Sequence, residues 1–361
     1  MEKVWATRVH LHRADPADLT ALLSLDDADR LLTSTAIRTP SVRVVKDGTV
    51  LPESAYTRRG ASLAGKPLTG LVDPRRTLGL FDEGATVVLQ GLHRYWPPLT
   101  DLVAELELEL GHPCQANAYL TPPGSQGFAA HCDSHDVFVL QTHGSKTWLV
   151  EVDGEEREIV LEPGLAMYLP TGTRHAARTQ QAASLHITLG LNQLTWRDLV
   201  ERSVRGVLAE VDGDHLPAGY LDDPSFLAAG LAERLTDLAA RVQAVDAHTA
   251  VAEAAEHFVS SRGTRLRGGV RDLLAVDALE DTTVLRRRPG HPCVLVDAGE
   301  SVRLLIGDRE LRLPARVRPA LEVVVAQREL RPTDLAGHLD VGGRLVLCRR
   351  LVREGLLEVH G

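Results

Sequence analysis

Lysine is almost missing from this chain: Lys3, Lys46, Lys66 and Lys146 stand in a basic complement of 40 that is otherwise arginine. A lysine between two apolar runs, as Lys146 is, therefore departs from the composition. Cysteine is scarce too. Cys114, Cys132, Cys293 and Cys348 form no C-x-x-C pair and keep no regular spacing. That excludes a disulfide framework and a cysteine-built zinc site, and leaves free thiols of a reducing compartment. No apolar run approaches the roughly 18 residues of a membrane span. Residues 1–5 lack the apolar core of a secretory leader, so the expected location is cytoplasmic, with no membrane partner. A basic surface is also lacking: the net charge of −9 argues against nucleic acid as a partner and suits a basic polypeptide.

What is present is ample apolar content, 44% over 361 residues, enough for a sizeable core and two or three domains. The most informative local feature is an H-x-D pair, His131 and Asp133, with His175 following 42 residues after the aspartate. Residues i and i+2 of a strand point to the same side. One strand can therefore offer both side chains to one ion. Two histidines and a carboxylate on a β scaffold make the facial triad of non-haem iron oxygenases, which leaves the opposite face of the metal open. His186, in the alternating stretch Ser184-Leu-His186-Ile-Thr188, is a rival ligand. It ranks below His175, which follows the turn at residues 170–173 that can aim a side chain inward. Such an alternating strand faces water on one side or lines a polar interior.

Residues 114–120 read as a strand and 121–127 as a loop, so the metal pair opens a second strand. Asn117 and Tyr119 share parity with His131, although the turn intervenes. Lys146 follows the apolar stretch 137–140 and precedes Trp148-Leu-Val150. It is either a hairpin charge in water, as Gly144-Ser145 favours, or a buried cation that needs a carboxylate opposite it.

Asn117-Ala-Tyr-Leu-Thr-Pro-Pro-Gly-Ser-Gln-Gly-Phe-Ala-Ala-His131-Cys-Asp133 resembles the metal-binding segment of JmjC-type cupin dioxygenases, and of their ribosomal oxygenase subgroup in particular. The similarity continues through residues 136–141, Gly144-Ser-Lys-Thr-Trp148, residues 169–175 and Ser184-Leu-His-Ile-Thr188. The resemblance implies Fe(II) held by His131, Asp133 and His175, with 2-oxoglutarate as cosubstrate and its distal carboxylate paired with Lys146. Asn117, Tyr119 and Thr121 fall where the family lines the cosubstrate pocket, and Ser184 belongs to the same wall. The implied reaction hydroxylates a polypeptide side chain, most readily that of a ribosomal protein. The same chemistry on a peptide or small-molecule intermediate, or a non-catalytic cupin regulator, are the alternatives. Two positions depart from the pattern. Cys132 stands where an aromatic is common and Thr171 where arginine is frequent; neither removes a ligand. Cys132, between i and i+2, should point away from the metal.

The fold class expected is α+β: a double-stranded β-helix (jelly-roll or cupin) barrel, then a helical module, then a C-terminal winged helix. The boundaries are 1–194 for the catalytic domain with its mixed N-terminal extension, 195–285 for the helical module and 286–361 for the winged helix. In the extension, residues 19–23 and 27–32 read as helix and 41–45 as a strand turning at Asp47-Gly48. Residues 52–76 read as a mobile loop, 84–90 as a buried strand, and Thr100 as the cap of a helix ending at Gly111. After 194, Thr195 opens a capped helix, and apolar residues at spacings of three and four recur through Val245. The family reading of this stripe is homodimerisation. In the last part, residues 294–297 and 302–306 read as hairpin strands turned at Gly307-Asp308. Residues 321–326 are helix or strand, 333–339 a short helix, and 344–353 a basic helix. The arginines 344, 349, 350 and 353 are read as a solvated or protein-facing surface, not a DNA reader.

Overall fold

The computed structural model describes residues 4–125, 129–179, 181–211 and 213–360. Residues 126–128, part of which was expected as a loop, lie outside them. The chain divides into two compact units, Met1–Gln193 and Leu194–Gly361. No helix among the described residues is long and apolar enough to cross a membrane.

The first unit is built on two antiparallel sheets. The larger runs in the order His10–Arg13, Leu165–Leu169, Asp136–His143, Ser184–Leu191, Cys114–Thr121, Thr86–Leu89, Val42–Lys46 and Thr49–Val50. The smaller runs Glu155–Leu161, Lys146–Val152, Arg174–Thr179 and His131–Cys132. Strands of sequence-remote segments lie side by side, as in the jelly-roll family of folds. Alternation sorts the side chains. Ala116, Ala118, Leu120, Leu185 and Ile187 turn toward the helices Pro16–Leu22, Leu25–Thr33 and Pro97–Leu110, forming the larger core. Val137, Val139, Trp148, Val150 and Met167 fill the space between the sheets. Cys114–Thr121 and Ser184–Leu191 lie in register, with Thr121 opposite Ser184 and Tyr119 opposite His186. Their polar residues therefore share the inner face, and the strand 184–191 lines a polar interior rather than facing water.

Two local expectations need correction. Residues 52–76 are anchored, not a mobile loop: they contain the short helix Glu53–Ala55 and the hairpin Ser62–Leu63 with Lys66–Pro67, and Tyr56 and Val72 enter the core. Their Arg, Gly and Pro content hid two buried anchors. Thr100 is not a helix cap. Pro97 and Pro98 start that helix one turn earlier, with Trp96 at the cap position, because proline is pre-set for the first helical turn. Gly111 ends it with φ of 70°.

In the second unit, Trp196–Leu208 begins with the capping box of Thr195 and Asp198. Phe226–Gln243 follows, and then Ala247–Ser260, capped by Asp246 and not seen in the sequence. None of these helices has a buried residue among those described; Trp196 is 83% exposed. A second core gathers Leu285, Leu304, Leu321, Leu347 and Leu351. The strands Val294–Ala298 and Ser301–Leu305 turn at Gly299, not at Gly307-Asp308. That later pair leads into a third strand, Glu310–Pro314. Residues 321–326 are helical, within Arg318–Ala326, because Pro319 starts a turn that buries Ala320, Leu321 and Val324 on one side. The short helix expected at 333–339 is the 3-10 turn Pro332–Leu335. The basic helix is Val341–Arg353, and its arginines are engaged. Arg344 pairs with Asp281, Arg350 with Glu354 and Arg353 with Asp277, while Arg349 donates to the Leu279 carbonyl.

Candidate metal centre

His131 lies in the two-residue strand His131–Cys132, with Asp133 directly after it. The Arg174–Thr179 strand pairs with it so that His175 stands opposite His131. Directly opposed residues of an antiparallel pair emerge on one face, and the two imidazole centroids are 4.5 Å apart. Asp133 completes the group. Its Oδ1 is 3.7 Å from His131 Nε2 and its Oδ2 is 3.6 Å from His175 Nε2. The three donor atoms all lie within 4.8 Å of one another. Cys132, between the two ligands, is exposed.

The remaining imidazole nitrogens explain the orientation. His131 Nδ1 lies 2.9 Å from the Ala129 carbonyl, and His175 Nδ1 lies 2.9 Å from the Thr173 carbonyl. A carbonyl only accepts, so each ring carries its proton on Nδ1 and presents a bare Nε2. Burial holds His175 below the ordinary histidine range, against a smaller opposing pull from the Thr173 bond, which keeps it in the neutral, ligating form. Two imidazole nitrogens and a carboxylate, gathered this way, fit a divalent metal with three protein ligands and an open face.

Behind the triad lies a cavity of about 70 Å³ between the sheets. Tyr119, His186 and Thr188 wall it from the larger sheet, Lys146 and Trp148 from the smaller. Lys146 is 2% exposed. It pairs with Leu161 on one side and Thr179 on the other, which places it within the sheet although a turn precedes it. That turn is tight: Gly144 has φ of 62°, and a Cβ there would meet the Ala183 carbonyl at 1.8 Å. Lys146 Nζ donates to Thr121 Oγ1 at 3.1 Å. Among the described residues no carboxylate pairs with it, and burial pushes its ammonium down to about 7. Of the two alternatives open in the sequence the structure takes the buried one, yet the counter-charge does not come from the described chain.

The other residues read from the sequence divide. Thr121 contacts Lys146, and its hydroxyl also accepts from Thr86 Oγ1 at 3.1 Å. Tyr119 stacks on His186 with centroids 4.9 Å apart. Ser184 is buried and accepts from Gln141 Nε2 at 2.9 Å. Of these residues Tyr119 lines the cavity, whereas Thr121 reaches it through Lys146 Nζ and neither Ser184 nor Asn117 lines it; Asn117 Oδ1 accepts the Gly91 amide at 2.9 Å. His186, the rival ligand, is outside the metal group. Burial, and then the nearby Lys146 charge, hold it well below the ordinary range and therefore neutral. Trp148 and Thr86 were missed. Trp148 packs 5.8 Å from His175 and 5.4 Å from His186, centroid to centroid. Its parity with Lys146 was the available signal. At the departure Thr171, amide and hydroxyl each donate to Asp136 Oδ1 at 2.7 Å, and Tyr168 donates to Oδ2. Burial works against the Asp136 charge, but these bonds outweigh it and hold the carboxyl below the usual range.

The JmjC domain model matches residues 99–158 and 150–199. Over 240 residues the chain is 29% identical to the bifunctional lysine-specific demethylase and histidyl-hydroxylase NO66 of Culex quinquefasciatus, covering 60% of this chain and 36% of that protein. It is 31% identical over 216 residues to ribosomal oxygenase 1 of Homo sapiens, covering 54% of this chain and 32% of that protein. The chain thus spans about a third of the length of these curated relatives. The crystal structure of Escherichia coli ribosomal oxygenase YcfD has a similar fold, with a TM-score of 0.55 at 18% identity over 99% of this chain and 96% of that one. YcfD has also been solved with cobalt and 2-oxoglutarate.

Proposed function

We propose that this chain, which carries a JmjC domain, is an Fe(II)- and 2-oxoglutarate-dependent oxygenase that hydroxylates a side chain of a protein substrate, in the first place a ribosomal protein. One observation carries the reading: a deeply buried lysine with no carboxylate partner among the described residues faces the same cavity as the His131, Asp133 and His175 cluster. Burying a lone ammonium is costly. The cost is offset when an anion enters, and a dicarboxylic 2-oxo acid brings one carboxylate for the lysine and a chelating end for the metal. The relatives named above carry hydroxylase or oxygenase in their names, and YcfD has been solved in complex with cobalt and 2-oxoglutarate.

In this reading His131, Asp133 and His175 hold Fe(II), which when bound supplies dioxygen activation coupled to oxidative decarboxylation of 2-oxoglutarate. The chain's own residues supply position and exclusion. Ala129 and Thr173 fix the imidazoles. Lys146 and Thr121 bind the distal carboxylate. Tyr119 lines the same wall, with Ser184 and Asn117 beside it on the neighbouring and the same strand. Val137, Val139 and Trp148 keep water from the reacting centre. Residues 1–194 are the catalytic domain, with the two sheets as walls of a cupin barrel. Residues 195–285 form the homodimerisation module, where exposed apolar residues such as Trp196 and Leu231 would meet a second copy. Residues 286–361 form a winged-helix domain. Its paired arginines do not favour nucleic acid, and the free thiols suit a cytoplasmic protein.

The test is succinate formation from 2-oxoglutarate with Fe(II), alongside direct binding of both to the protein. Binding and turnover together support the reading, and failure of both binding steps overturns it. A deletion strain whose ribosomal proteins have lost one added oxygen atom, found by mass spectrometry, would identify the substrate.

A further inference from the structure

Three hydroxyl-bearing residues stand in one row across the larger sheet: Thr86, Thr121 and Ser184. Thr121 is paired with Ser184, and its hydroxyl touches that of Thr86 on the neighbouring strand. All three are buried. Lys146 reaches this row from the smaller sheet. A hydroxyl has two acceptor positions and one proton to give. At Thr121 both acceptor positions are used, by Thr86 Oγ1 and by Lys146 Nζ, each at 3.1 Å. Its own proton has no acceptor among the described residues.

We propose that Thr86 is a positioning residue: by occupying one lone pair of Thr121 it turns the Thr121 proton toward the cavity, where Thr121 and Lys146 together grip one carboxylate of the cosubstrate. This rests on the oxygenase reading and adds to it Thr86, which lines the same cavity and acts on the anion through Thr121. Without Thr86 the Thr121 hydroxyl is held by Lys146 alone and its proton can take either remaining position, and a donor that must be ordered on binding contributes less than one already aimed. Lys146 also keeps only two of its three N–H groups for the anion, the third being held by Thr121. The clamp therefore has a fixed geometry, three donors from two side chains around one carboxylate. The hydroxyl row extends to Ser184, which is tied to Gln141 and so gives the wall its rigidity on the other side.

The experiment measures 2-oxoglutarate affinity by calorimetry on the full chain loaded with Mn(II), with metal affinity measured separately. Thr86→Val keeps the shape and removes the donor; Thr86→Ser restores it. The expected result is roughly a fivefold weakening of 2-oxoglutarate binding in Thr86→Val, near recovery in Thr86→Ser, and unchanged metal affinity. Thr121→Val should weaken binding by roughly tenfold or more. Because Thr86 acts through Thr121, the double variant should be no weaker than Thr121→Val alone. Additive effects, or a Thr86→Val variant that binds as the parent does, would overturn the proposal while leaving the oxygenase reading intact. A parent protein that binds metal but no 2-oxoglutarate would remove both. Variants that fail to fold are recognised by lost metal binding, and Thr86→Ser then decides alone: wild-type affinity supports the aimed donor, and weakened affinity opposes it.

Discussion

Two buried cations in this chain are treated in opposite ways. In the second unit Arg288 is ion-paired with Asp272, also buried, and with Glu358, and it donates to the Arg267 carbonyl. In the first unit Lys146 is as deeply buried, but its one protein partner among the described residues is a threonine hydroxyl. A structural cation carries its counter-charge with it, because an uncompensated buried charge is strongly destabilising. A cation left with a neutral partner costs stability in the empty protein and regains it when an anion arrives. On the proposed function, the difference separates a bond made for the fold from one reserved for a ligand.

The comparison can be broken from either side. The largest effect is expected at the metal. Asp133→Ala should abolish Fe(II) binding and turnover, seen by equilibrium metal titration; a variant that still binds iron and turns over would remove the triad. Next, Asp272→Ala should lower unfolding stability by about 3–5 kcal/mol in urea titrations, since it removes the buried partner of Arg288 and leaves only the partly exposed Glu358 as counter-charge. A loss comparable to that of a surface pair would mean that Arg288 finds water. Lys146→Met should do the reverse in the empty protein, raising stability at neutral and lower pH while weakening 2-oxoglutarate by about 1.5–3 kcal/mol or more.

The pH dependence sharpens the same point. The Lys146 pKa is lowered from 10.5 to about 7 in the fold. Below about 7 both folded and unfolded chains carry the proton and the full penalty is present. Between about 7 and 10.5 the unfolded chain binds more protons, so stability rises with pH. The stability difference between Lys146→Met and the parent should therefore shrink across that interval, and a constant difference would place Lys146 in contact with solvent. The smallest effect belongs to the surface. Arg353→Ala, which removes an exposed pair with Asp277, should change stability by less than about 1 kcal/mol.

Much of the site was legible in one dimension. The H-x-D spacing carries its geometry with it, since strand parity brings i and i+2 to one side, and Thr195 with Asp198 likewise announces its own capping box. The pairing of His175 with His131 was not legible, because register depends on which strands become neighbours. Asn117 keeps the strand position of the resemblance, and what only the structure adds is that its Oδ1 accepts the Gly91 amide. The missed helix Ala247–Ser260 is alanine-rich, with an apolar face too weak to stand out. The third strand Glu310–Pro314 was hidden because its turn was assigned to the hairpin before it.

The amino-acid order by itself determined which residue types were available for the chemistry and how the polar and apolar ones alternate along each strand. It also determined where helices begin, because caps and parity are set by neighbours a few residues apart. The tertiary structure alone decided that Lys146 is buried and, among the described residues, meets the Thr121 hydroxyl instead of a carboxylate, and that Thr86 reaches Thr121. Those outcomes depend on which distant strands lie side by side, and the cost of a buried charge exists only once the sheets have closed over it.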